Sequence, residues 1–163
     1  MIRGLRRPCF RKAVITMRKL NLFILAAWAL HVASWFLPVL KEQDYHAMVP
    51  GWKAFRYSAC AVWPCEGIQF ETLHHAVLAT ISVITTLFFL LCSPLVVLRG
   101  SRVLQKSAAW AAAAAFLVNT HWIIIFGEKK SELTVGYFLW LSSFLLLAIG
   151  LFMPPRQNET RNP

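Results

Sequence analysis

Hydrophobic and polar positions along the chain separate into long blocks. Four runs, 20–40, 72–98, 107–126 and 133–153, contain no Lys, Arg, Asp or Glu. The 17 basic and seven acidic residues all fall outside them. An acyl-chain core about 30 Å thick takes roughly 20 apolar helical residues to cross, so each run predicts a membrane-spanning helix. The turns at 99–106 and 127–132 are short, which makes consecutive helices antiparallel neighbours. The expected fold is an all-α integral membrane protein with four transmembrane helices in an up-down bundle. It divides into a basic arm at 1–19, a membrane domain at 20–153 and a tail at 154–163, with one long connection at 41–71.

Composition agrees with this pattern. A soluble domain of 163 residues cannot cover 58% hydrophobic side chains with polar surface. The formal charge of +10 would suit a nucleic-acid partner, but the cations are distributed by topology. Twelve of them lie in the arm, in the connection at 99–106 and in the tail; five lie in the other two connections. Lys and Arg are retained on the cytoplasmic side, so both termini are expected there and 41–71 outside. Anionic head groups, attracting each nearby cation by about 1 kcal/mol, account for the surplus without nucleic acid. The Arg-rich start resembles a targeting segment, but the run after it is too long for a signal h-region. It reads as an uncleaved first span, with Met17 a plausible alternative start. The expected location is a bacterial inner membrane, multi-pass.

The spans differ in texture. Pro38 should end the first. The second carries Thr80, Ser82, Thr85, Thr86 and Ser93, whose hydroxyls can bond backbone or a neighbouring helix, and Pro94 should kink its inner end. Ala108, Ala109 and Ala111–Ala115 make a thin half of the third span that admits a close neighbour. The fourth, with Phe144, Leu145–Leu147 and Phe152, is expected to face lipid over much of its surface.

In the long connection, Pro50-Gly51 marks a turn, and Trp52, Phe55, Ala59 and Val62 then share one helical face while Lys53 and Arg56 point elsewhere. This predicts a short amphipathic helix with its apolar face down, either a lid over the bundle or a docking surface offering Trp52, Phe55 and Trp63. Cys60 and Cys65 flank Trp63-Pro64 on the oxidising side, where paired thiols cross-link. A redox or metal-binding pair and two free thiols remain alternatives. Cys92, inside the second span, reads as a small buried hydrophobe.

Four spans, cytoplasmic termini and two cysteines in the first external connection resemble the quinone-linked thiol oxidases that recharge periplasmic disulfide carriers. The chain departs from them in detail. Four residues separate Cys60 from Cys65, where those enzymes have two. The turn at 127–132 holds no second cysteine pair, so the electron relay those enzymes need is missing. Membership does not follow.

Ionisable groups at membrane depth are site candidates. At 1.5 Å per residue, His31 stands roughly 16 Å and His121 roughly 20 Å up their helices from the inner ends, similar depths in the outer half. His74 and His75 enter the second span at the same surface, and His46 lies in the connection. Two imidazoles can hold a b-type haem, with His31 and His121 as its ligands, and His74 and His75 can contribute to a copper or zinc site. The structural alternative is hydrogen bonding to Ser34, Asn119, Thr120 or backbone. The seven Trp suit aromatic belts at the two interfaces. No span carries an acidic or basic residue for proton-coupled transport, and no nucleotide loop or zinc-protease motif is present.

The expected function is a small non-enzymatic membrane protein (accessory, assembly or immunity-type) that works through helix and loop contacts with the bilayer and a membrane-protein partner or a second copy. The alternative is a redox, metal or haem protein using the histidines and the cysteine pair.

Overall fold

The computed structural model describes residues 7–41, 48–63, 65–67, 70, 72–99, 101–126 and 133–153. For 7–21 and 97–99 the description covers the backbone alone. The arm's first residues, the tail, the turn at 127–132 and His46 therefore lie outside it. The order is α1 (Arg7–Phe36), β1 (Pro38–Lys41), β2 (Met48–Pro50), α2 (Gly51–Ala59), α3 (Leu73–Arg99), α4 (Arg102–Ile125) and α5 (Val135–Phe152). Among the described residues three helices, α3, α4 and α5, are long and apolar enough to cross a membrane; the apolar stretch of α1 at Leu22–Phe36 is shorter.

The fold is mostly helical, but two short strands enter where the first span was expected to run on to residue 40. Pro38 has no N–H for a helical bond and fixes its own φ, so α1 closes at Phe36, with Leu37 N–H on the Ala33 carbonyl at 3.2 Å. β1 and β2 then pair antiparallel, Leu40 opposite Val49. Leu40 also bridges to Leu133, Thr134 N–H reaches the Val39 carbonyl at 3.0 Å, and the Thr134 hydroxyl donates to the Pro38 carbonyl. The hairpin thus ties the end of α1 to the start of α5.

The long helices pack antiparallel. Phe23 lies against Gly150 and His31 meets Ser143, so α1 and α5 run opposite ways. Gln105 bonds the Leu151 carbonyl while Tyr137 bonds that of Asn119, which does the same for α4 and α5. α3 opposes α4 through Ser82 and Asn119. The alanine face behaves as its size predicts: Ala108, Ala109, Ala112 and Ala115 are buried in one core with Phe144, Leu147 and Ala148 of α5.

The expectation for the fourth span is corrected. α5 sits centrally, between α1 and α4, with Phe144 and Leu147 buried and Ser142, Leu145, Ile149 and Phe152 facing outward. Small residues make this possible. A Cβ on Gly150 would stand 2.7 Å from that of Phe23, and Ser143 and Ala148 leave similar room. An apolar helix reads the same whether its neighbour is lipid or another helix, so the run alone could not separate the two.

α1 meets α3 through long side chains. His31 stacks on Phe89 at 4.2 Å, and Trp28 Nε1 donates to Ser93 Oγ at 2.7 Å. α3 continues unbroken through Pro94, and Ser93 Oγ donates to the Phe89 carbonyl at 2.6 Å. The outer surface of the bundle carries Leu22, Leu25, Ile84, Leu87, Leu91 and Leu117, all exposed. In water an apolar girdle of this extent would drive aggregation; in a bilayer it is solvated.

Candidate functional site

The end of the bundle that carries the hairpin holds the features with chemical potential. α2 is set there by a close approach that only glycine allows. Gly51 N–H donates to the Leu37 carbonyl at 3.0 Å, and a Cβ on Gly51 would overlap the Ser34 carbonyl oxygen. Gly136 likewise sits against the Pro38 carbonyl. At its far end α2 is held by a disulfide between Cys60 and Cys65, Cα atoms 5.2 Å apart. Cys92 is free.

Only part of the apolar face of α2 points down. Phe55 turns inward and stacks on Trp35 at 5.4 Å. Trp52 is 49% exposed, and Trp63, just beyond the helix, is 80% exposed. α2 and the turn after it therefore carry the Phe55 ring inward and those of Trp52 and Trp63 outward.

Beneath α2 lies a cavity of about 740 Å³, within the range of small-molecule sites. Ala54, Phe55 and Ser58 roof it; Trp35, Trp122, Phe126 and Trp140 form walls; Ser82, Thr86 and Tyr137 contribute the deeper polar surface. No Asp, Glu, Lys or Arg lines it among the described residues.

The polar residues below this space are bonded to one another. Ser82 Oγ accepts from Trp122 Nε1 at 2.9 Å and donates to Asn119 Oδ1 at 2.8 Å. Asn119 Nδ2 donates to Thr85 Oγ1 at 3.0 Å and to the Ala115 carbonyl at 2.8 Å. Tyr137 gives its proton to the Asn119 carbonyl at 2.6 Å, and Trp140 Nε1 donates to Thr86 Oγ1 at 3.3 Å. This network, centred on an amide 1% exposed, was not anticipated as a unit. Its signal was the lone Asn in the third apolar run, together with the hydroxyls of the second.

The histidines fall into two groups that differ from the sequence pairing. His31 is fully buried; its Nδ1 lies 2.9 Å from Ser143 Oγ, and its ring is packed face-on to Phe89 and edge-on to Phe144. Ser143 Oγ donates to the Trp140 carbonyl at 2.6 Å, so it accepts from His31 Nδ1–H and leaves Nε2 as the bare nitrogen. That Nε2 is buried without a hydrogen-bond partner among the described residues. Ser34 serves His31 only through the backbone, its Oγ donating to the His31 carbonyl at 2.6 Å.

His121 lies elsewhere, its Nε2 3.1 Å from that of His74. The expected match in depth with His31 is not found. His31 is level with Ser143, nearly two turns deeper along α5 than Tyr137, whose hydroxyl meets Asn119, just two residues from His121. His75 ranges along Trp122, its ring 6.3 Å from that of His74, and lines the cavity. Among the described residues no set of three or more His, Cys, Asp or Glu is grouped for a metal.

No protein-family model, curated protein or solved structure matches the chain.

Proposed function

We propose that the chain is a four-span, non-enzymatic protein of the bacterial inner membrane, with both termini cytoplasmic, that acts by contact as an accessory, assembly or immunity-type subunit. Support for four spans comes from α1 packing antiparallel along α5, with a charge-free helical stretch from Leu20 to Phe36 that falls at the short end of the roughly 17–25 residues that cross a bilayer. The lysine and arginine asymmetry supports the orientation. The observation that carries the contact reading is the two-sided lid: α2 is anchored by Gly51, Phe55 and the Cys60–Cys65 bond, yet it turns Trp52 outward and the turn after it exposes Val62 and Trp63. Exposed aromatic anchors on a rigid support are what binding hot spots require.

Extraction in mild detergent followed by mass spectrometry is expected to recover a stoichiometric membrane partner or a second copy. Replacing Trp52 and Trp63 together by Ala should lower that recovery at least about tenfold. A monomer without partner in both forms would refute the reading.

One observation favours a second reading as a metal protein. A metal ion about 2.05 Å from both His74 and His121 Nε2, which are 3.1 Å apart, would subtend roughly 98°. That lies between square-planar and tetrahedral angles, and imidazole suits copper, nickel and zinc. Titration with Cu²⁺ followed by electron paramagnetic resonance should give a nitrogen-ligated signal that His74→Gln and His121→Gln each abolish. Free-copper spectra throughout would remove this reading, and the absence of a Soret band would remove the haem version.

A further inference from the structure

We propose that the cavity beneath α2 is a binding site for an uncharged, ring-bearing lipophile that accepts a hydrogen bond. Water is the first filler to weigh against a ligand. At ~30 Å³ per water, about 740 Å³ corresponds to on the order of 25 molecules. Each ordered buried water needs 2–4 polar partners. The lining is mixed: Ser82 is saturated by Trp122 and Asn119 and Tyr137 spends its proton on the Asn119 carbonyl, while Ser34, Tyr57, Ser58 and His75 add further polar groups. Waters lying against the aromatic walls would still find few partners.

Charge narrows the class. A carboxylate, phosphate or ammonium brought into this space would lose hydration and meet no Asp, Glu, Lys or Arg among the described residues, His75 being the ionisable side chain on its wall. Lys53 is turned to the Tyr57 ring, and Arg56 is exposed.

The walls then select for rings. Trp122 is stacked on Phe126 at 5.6 Å and tethered through Nε1 to Ser82; Trp140 is tethered to Thr86; Trp35 is stacked on Phe55. These flat faces are already immobilised, so a planar ligand packs against them without a further ordering cost. Thr86 Oγ1 accepts from Trp140, and no acceptor takes its own proton among the described residues. Although Thr86 is 2% exposed, it lines the space and is one donor, beside Trp35, Tyr57 and Ser58, that a carbonyl or ether oxygen can meet. Ala79, buried at the cavity wall, leaves the room beside it.

Photolabelling of the full chain in lipid nanodiscs tests this, with benzophenone (uncharged, aromatic, one carbonyl) as the probe. Its anionic and cationic relatives, 4-benzoylbenzoate and (4-benzoylbenzyl)trimethylammonium, serve as comparators. Adducts mapped by mass spectrometry should concentrate on lining residues for benzophenone and not for either ion. Ala79→Phe, which fills the space, should reduce lining adducts about tenfold, and Thr86→Val about threefold. Should Ala79→Phe fail to fold, excess fluorenone should suppress the same adducts in the unmodified protein. Adducts equally dense on the outward Leu87, Leu91 and Leu117 would overturn the site. Equal lining adducts from either ion would overturn the uncharged class, and a Thr86→Val protein labelled like the parent would overturn the hydrogen-bond assignment.

Discussion

Asn119 concentrates more of the interior chemistry than any other side chain. Its amide joins α4 to two hydroxyls of α3, accepting from Ser82 and donating to Thr85, and also bonds its own helix at Ala115. Hydrogen bonds between membrane helices average about 0.6 kcal/mol each and reach about 1.7. Asn119→Ala should therefore destabilise the bundle by about 1–3 kcal/mol, measured by unfolding in mixed detergent micelles. Tyr137 would keep its bond, because it uses the backbone carbonyl. His31 presents the opposite case. Its Nε2 is buried without a partner among the described residues, and an orphaned polar atom costs about 1–3 kcal/mol. His31→Phe keeps the ring between Phe89 and Phe144 and removes the orphan, so stability should hold or rise by about 1 kcal/mol. A loss beyond about 2 kcal/mol would mean that Nε2 is engaged in the native membrane.

At the scale of elements, the roof is held by two independent devices. The disulfide joins residues five apart, and closing so short a loop constrains the unfolded segment by about 2 kcal/mol in the entropy model. Reduction should release the C-terminal end of α2 and leave the bundle folded. Hydrogen exchange of the amides at 56–62 should accelerate on adding dithiothreitol, while α4 and α5 stay protected. Gly51 is the other device. Gly51→Ala sets a methyl against the Ser34 backbone carbonyl, and rigid backbone cannot yield as a side chain can. A destabilisation of at least about 2 kcal/mol is expected, with faster proteolysis of α2 ahead of global unfolding.

For the whole molecule, the uneven cations make a topological prediction. A fluorescent protein fused after residue 163 should fold and fluoresce in a bacterial cytoplasm, whereas alkaline phosphatase inserted in the connection at 41–71 should be active outside. Moving the excess is the sharper check. Neutralising the seven Lys and Arg of the arm should scramble the orientation, because each cation resists translocation.

The long apolar runs that became α3, α4 and α5 were legible in the chain, since partition between water and hydrocarbon depends on local composition. The start of α3 at Leu73, the thin alanine face of α4 and the amphipathic α2 follow from that local logic. The Cys60–Cys65 bond was legible as one of three readings of the pair; the turn after α2, which brings the Cα atoms to 5.2 Å, decided among them. Choice of partners across the bundle was not. That α5 is the central helix, that His121 meets His74 while His31 meets Ser143, and that Phe55 closes a cavity as Trp52 stays outside were decided by the rotation of each helix about its axis. Lipid and a neighbouring helix are equally apolar to such a face. Only close packing around Gly51, Gly136 and Gly150, and the pairing of the few polar groups, distinguishes them.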